Sequence, residues 1–371
     1  MEYTQRVLEV CMKVQTVKFR DKSTFIVVGD DFLPIKEIND YLRYLEDVDY
    51  SINTIRTYAN SLSLFWRFLK IKDIPDWKIT KLELIVEYVH FLRNPFYGTG
   101  LMTTYVSTRS ETTINLYLAS LGSFFDYYCN NGVLLNNPLY GRGSNKRTNY
   151  KTFLHHITNS KPHRNKAIKL KVPNKLPKLL KESEVILIID NCNNLRDKFL
   201  FTLLYETGMR IGQALGLRHS DIKSMDNEVH IIPRDNNENF SKTKSLDSNV
   251  VHVSKDLMNL YTEYIVHELD ELESDYVFVN LWGGVKGKPL SYDTVSKIVR
   301  RLITKTNIKF NLHMFRHTHA TQLVKSGWDP SYVKKRLGHK QIQTTVNTYT
   351  HLSDEDMKKE IQKFHLLKKG D

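Results

Sequence analysis

The sequence predicts a mainly α-helical protein with a small β-sheet, laid out as two domains. Three observations predict this. At 371 residues the chain is too long for one small core. Its apolar residues recur with a helical period over most of the length, while strand-like alternation is confined to a few short runs. Between the halves lies a stretch, residues 141–175, rich in Lys, Arg, Asn and Pro and poor in apolar periodicity, which reads as a linker.

Composition narrows the function classes. No run approaches the 18 or more apolar residues of a membrane span, so no membrane partner is expected. Met1 to Gln5 lacks a signal-peptide pattern, and Cys11, Cys129 and Cys192 are too few and scattered for a disulfide framework, which points to the cytoplasm. The net charge of +13 is localised. Arg142 to Lys181 holds 12 Lys/Arg and no Asp or Glu, and without it 42 basic residues face 41 acidic ones. A polyanion partner is the natural reading, since Lys and Arg on nucleic acid gain by releasing condensed counterions. A solvated linker is the plainer alternative.

Residues 1–32 form an expected appendage containing strands at Val14–Val17 and Phe25–Val28, with a turn at Gly29–Asp31. Residues 33–140 read as a helical domain. Ile38, Tyr41, Leu42 and Leu45 repeat at i, i+3, i+4, i+7, and Ser51 caps a helix striped by Ile55, Tyr58, Leu62, Phe65, Trp66 and Leu69. Two further helices are expected at Leu82–Leu92 and Ile114–Tyr128, and Asn136-Asn137-Pro138 closes the run. These aromatics read as core. Arg56 and Arg109 are its candidates for contact with DNA, and Arg142, Lys146, Arg147, Lys151, Lys161, Arg164 and Lys166 are those of the linker.

Residues 176–371 form the second domain. Helices are expected at Glu182–Cys192, Leu195–Glu206, Leu257–Leu269 and Tyr292–Thr304, and strands at Val229–Ile232, Val250–Val253 and Tyr276–Val279. A polar hairpin, Pro233–Asn249, carries Lys242 and Lys244. A tail helix at Asp354–Leu367 is expected behind Ser353. The chemistry-bearing stretch runs from His313 to Tyr349. It contains His313-Met314-Phe315-Arg316, Leu337-Gly338-His339, Thr344-Thr345 and Tyr349-Thr350-His351. An acid/base, a fixed cation and a nucleophile with no metal cage suit attack on a phosphodiester. His313 and His317 could pass for a zinc pair, but Met314 stands where the metalloprotease pattern needs Glu, so no metal is expected.

With Thr207-Gly208-Met209-Arg210 upstream, these motifs together resemble the tyrosine recombinase (phage integrase) family, most closely transposon-encoded members. The resemblance implies a helical SAM-like core-binding domain before an α+β catalytic domain. It implies site-specific recombination of double-stranded DNA without a cofactor, for integration or excision of a mobile element. Tyr349 would attack the scissile phosphate and leave a 3′-phosphotyrosyl link. Arg210 and Arg316 would hold the non-bridging oxygens, with His339 adding a hydrogen bond. His313 would handle the tyrosine proton. Lys244, or alternatively Lys242, would protonate the leaving 5′-oxygen. The family precedent also implies a homo-tetramer on DNA, with tails bearing Met357, Ile361 and Phe364 exchanged between protomers, and accessory transposition proteins as possible partners.

Two departures stand out. Gln213 occupies a usually acidic position, and Tyr349 follows His339 at a spacing of ten where many members have nine. The competing readings are an inactive DNA-binding relative, favoured only by Gln213, and a water-using phosphodiesterase that would not need Tyr349. Within the enzyme class, a phage integrase, an Xer-like resolvase and a type IB topoisomerase remain.

Overall fold

Residues 12–19, 22–94, 107–140, 167–173, 177–234, 237–241, 248–269, 272–283 and 285–338 are described by the computed structural model. The chain divides into two compact units, Met1–Asn174 and Lys175–Asp371.

The first unit opens with an antiparallel hairpin of β1 (Lys13–Phe19) and β2 (Lys22–Val28), in which Lys13 faces Val28. Both expected β-branched runs lie inside these strands. On the outer side of β2, Asn39 Oδ1 accepts from Val27 N–H at 2.8 Å, its Nδ2 donates to Val27 O at 2.9 Å, and Ile35 N–H donates to the same carbonyl. Val27 is fully buried in the core of the unit, so the hairpin is built into the helical bundle.

The bundle consists of α1 (Lys36–Asp47), α2 (Ile52–Ile71), α3 (Leu82–Arg93) and α4 (Glu111–Asn130). Ser51 caps α2 by accepting from Thr54 N–H, and Ser110 does the same for α4 through Thr113, each satisfying an otherwise orphaned donor. The α1 stripe and Ile55, Leu62, Phe65 and Leu69 of α2 are buried. Around them Trp77 and Phe124 lie 5.0 Å apart, and Phe65 and Tyr88 5.1 Å. Burying each such side chain contributes about 1.5–3 kcal/mol. The aromatics are core, as the periodicity predicts. Beyond α4, part of the basic stretch returns to the bundle: Ala167 N–H donates to Leu139 O, and Leu170 exchanges two hydrogen bonds with the Asn115 side chain.

The second unit contains α5 (Glu182–Asp190), α6 (Leu195–Thr207) and the single-turn α7 (Ile211–Ala214). An antiparallel sheet follows in the order β3 (Ile222–Lys223), β4 (Glu228–Ile231), β5 (Asn249–His252). Then come α8 (Lys255–Tyr264), α9 (Tyr292–Thr306), α10 (Leu312–Lys325) and α11 (Pro330–Leu337). Buried Asp197 accepts from Arg196 and from Arg301 of α9, fixing α9 to the start of α6.

Two expectations are corrected. Tyr276–Val279 is not a ladder strand: its bridges, Arg218 to Tyr276 and Val279 to Pro289, are isolated, although Val277, Phe278 and Val279 are fully buried. A short apolar run signals burial whether or not a strand lies beside it. The helix expected over Leu257–Leu269 is α-helical only to Tyr264 and continues as a π-turn, Ile265–Leu269. The expected tail helix lies outside the described residues.

Candidate active site

Helix α6 ends because Gly208 takes the left-handed conformation, φ 63°. Glycine is required here for a second reason: a Cβ would lie 2.6 Å from His319 Cδ2 and 2.8 Å from Leu337 Cδ2. The Thr207 hydroxyl donates back to Leu203 O and accepts from Met209 N–H, which directs the chain out of the helix. Arg210 then begins α7, and its N–H donates to Gln213 Oε1 at 2.8 Å. Buried Gln213 is therefore a neutral cap on the turn that carries Arg210.

Asn311 caps α10 by accepting from Met314 N–H. His313 lies exposed in the first turn, Met314 and Phe315 enter the core, and Arg316 is 5% exposed. Its guanidinium joins three sequence motifs. Nη1 donates to Gly208 O at 2.7 Å and Nη2 to Leu337 O at 2.8 Å. Thr-Gly-Met-Arg210, His313-x-x-Arg316 and Leu337-Gly338, more than 100 residues apart at the extremes, thus meet at one planar fork. Helix α11 starts at Asp329-Pro330 and is stopped by Gly338, φ 63°.

The surroundings keep two imidazoles neutral. Burial lowers the pKa of His317, and nearby His313 and Arg316 lower it further. Burial pushes His319 down to about 4, and Arg336 adds to the effect. The positive charge of this site therefore resides in its arginines.

A second group lies upstream of the candidate lysines, and its members Arg234, Asn237 and Asn239 carry no motif that marks them in the sequence. Arg234 pairs with buried Asp221 through two 2.7 Å bonds, and Arg218 N–H donates to the same carboxylate. Asp221 thus ties the turn that follows α7. Asn237 Nδ2 donates to Ser241 O, while Asn239 Nδ2 donates to Leu215 O and Leu290 O, all three at 2.9 Å. Phe240, between Asn239 and Ser241, is held at φ 56°, a strained conformation for a bulky side chain. The available signal was the run of asparagines in Pro233–Asn249, a residue type that bonds nearby backbone.

Arg56 is exposed on α2, with its guanidinium 6.0 Å from the Phe25 ring centroid. Arg109 donates to Leu92 O at the end of α3, which gives it a part in the fold. Lys242, Lys244, His339, Tyr349, Arg142, Lys146, Arg147, Lys151, Lys161, Arg164 and Lys166 lie outside the described residues. Among the described residues, no helix is long and apolar enough to cross a membrane.

Comparison with known proteins identifies the family and the fold. Residues 173–356 match the phage integrase family, and residues 38–132 match the phage integrase N-terminal SAM-like domain. Tyrosine recombinase XerD of Staphylococcus saprophyticus is 29% identical over 343 residues, 88% of this chain and 98% of the relative. Among solved structures, the Tn1549 transposon integrase in complex with circular-intermediate DNA shares the fold. Its TM-score is 0.57 at 16% identity, over 88% of this chain and 98% of that one. XerH recombinase bound to its difH substrate gives a TM-score of 0.56 at 23% identity, over 85% and 80% of the two chains. Transposase A from transposon Tn554 of Staphylococcus aureus is 40% identical over 357 residues, 95% of this chain and 98% of the relative, and the chain belongs to the phage integrase family of tyrosine recombinases.

Proposed function

We propose that this protein is a site-specific DNA recombinase that integrates or excises a mobile element through a 3′-phosphotyrosyl intermediate. The observation that carries the reading is the Arg316 fork, which gathers the Arg210 turn, the His313 helix turn and the chain entering His339 around one buried cation. In the proposed reaction the Tyr349 oxygen bonds to the scissile phosphorus as the bond to O5′ breaks. The departing electron pair on O5′ takes a proton from Lys244 or Lys242, and His313 receives the tyrosine proton. Arg210 and Arg316 hold the non-bridging oxygens, with His339 beside them, as charge builds on phosphorus. Rejoining reverses these steps on a new strand. No nucleotide enters, because the phosphotyrosyl link conserves the bond energy.

Similarity to a transposon-encoded transposase along 95% of the chain favours mobile-element transfer over housekeeping resolution. Gln213 caps the Arg210 backbone with its amide oxygen, so its neutrality does not weaken the turn. The working assembly in this proposal is a tetramer on DNA, linked by tails after Ser353 and assisted by accessory transposition proteins.

The test is covalent capture on nicked duplexes built from the DNA flanking its own gene. Wild type should leave a denaturation-resistant protein–DNA adduct and Tyr349→Phe none. If Tyr349→Phe still cuts, water is the nucleophile and the proposal fails.

A further inference from the structure

Arg336 lies on α11 immediately before Leu337, and it bonds three other elements. Its Nη2 donates to Glu206 O in the last turn of α6 at 3.0 Å, and Nη1 and Nη2 both reach His252 O at the end of β5 at 3.2 Å. Its Nε donates to His319 Nε2 on α10 at 3.2 Å. His319 is 7% exposed, and its other ring nitrogen donates to the Tyr205 carbonyl, so the ring presents Nε2 as the acceptor. Asn249 of β5 closes the circuit by donating to Arg336 O at 3.0 Å.

This arrangement is reciprocal to that of Arg316. Arg316 reaches from α10 to the ends of α6 and α11, and Arg336 reaches from α11 to the end of α6 and to α10. Both take carbonyls near the end of α6, Glu206 and Gly208, where backbone acceptors lack helical partners and the helix dipole favours a cation. Arg336 fixes where α11 ends. The end of α11 supplies Leu337 O, one of the two acceptors that set the plane of the Arg316 fork.

We propose that Arg336, held by His319, is a positioning residue that aims the Arg316 guanidinium at the scissile phosphate. The inference rests on the phosphate-clamp reading given above for Arg316. Arg336 bonds protein groups through all three of its nitrogens and acts on the reaction through Arg316. A lysine in its place keeps the charge but cannot reach Glu206 O, His252 O and His319 together, since an ammonium lacks the planar fork. A misplacement of about 1 Å at a clamp costs on the order of 10²-fold in rate.

The experiment compares single-turnover adduct formation, DNA affinity and unfolding midpoint for wild type, Arg336→Lys, Arg316→Lys and the double variant. Each is offered a nicked duplex with either a normal phosphate or an uncharged methylphosphonate at the scissile position. The neutral linkage makes less demand on a cationic clamp. Arg336→Lys is expected to bind DNA as wild type does but to form adduct on the order of 10²-fold more slowly at the normal phosphate. Its deficit should shrink at the methylphosphonate, as that of Arg316→Lys does, and the double variant should be little worse than Arg316→Lys alone. His319→Gln, whose amide oxygen can still accept from Arg336, should keep most of the rate that His319→Ala loses.

Equal deficits on both linkages, full additivity in the double variant, or an Arg336→Lys enzyme as fast as wild type would each overturn the proposal. The His319 pair decides it if Arg336→Lys does not fold, and equal rates for His319→Gln and His319→Ala would count against it. Failure of the clamp reading is a separate result, seen as Arg316→Lys cutting both linkages at the wild-type rate.

Discussion

Without the Arg316 guanidinium, the carbonyls of Gly208 and Leu337 would lose their donors inside the protein. Arg316→Lys can serve at most one of them with similar geometry, and an unsatisfied buried acceptor costs about 1–3 kcal/mol. The variant should therefore unfold at lower denaturant as well as lose about 10²–10³ in cleavage rate. An unchanged unfolding midpoint would contradict this account of the fork. His319 makes a second prediction. Its folded pKa of about 4 lies below the ordinary imidazole value near 6.5, so between those limits the unfolded chain binds a proton that the folded chain refuses. Stability is then full above about pH 6.5 and is lost as pH falls towards 4, by at most about 1.4 kcal/mol per pH unit. His317 is lowered too and adds in the same direction. Urea titrations at stepped pH should show a shallower acid limb for His319→Gln than for wild type, and parallel limbs would refute the assignment.

At the scale of elements, the turn Asn237–Ser241 is held tightly enough to keep Phe240 in the left-handed region. The strain should be relieved in Phe240→Gly, because the side chain is 44% exposed and contributes little burial. Stability should rise by up to about 1 kcal/mol, the left-handed penalty less the entropy cost of glycine. Thermal unfolding checks the sign, and a lower midpoint would mean that the Phe240 ring contributes more packing than its exposure implies. Long, capped, periodic helices were legible in the sequence: Ser51 announces α2 and Gly208 ends α6. The four-residue α7 and two-residue β3 were not, since neither spans a full period. Tyr276–Val279 misled because an apolar run records burial, while a strand needs a neighbouring ladder that local sequence does not specify. The three motifs that meet at Arg316 could be read as motifs. Which carbonyls they share could not be read, because those bonds depend on how α6, α10 and α11 pack.

On the scale of the whole molecule, the excess positive charge sits almost entirely between Arg142 and Lys181. If that stretch follows the DNA backbone, replacing Arg142, Lys146 and Arg147 by Gln should reduce the slope of log affinity against log salt by about 0.9 per lost phosphate contact. Gel-shift titrations across ionic strengths measure it, and an unaltered slope would return the stretch to the role of a solvated linker. The double duty proposed for Arg316 also bears on how relatives of this protein are sorted. A lineage that gave up strand transfer but kept its shape would still need the guanidinium between α6 and α11, whereas a residue used only for chemistry would be released from selection. An intact buried arginine in a homologue is therefore a sign of inherited architecture, and working enzymes should be told from silent descendants by the nucleophile instead.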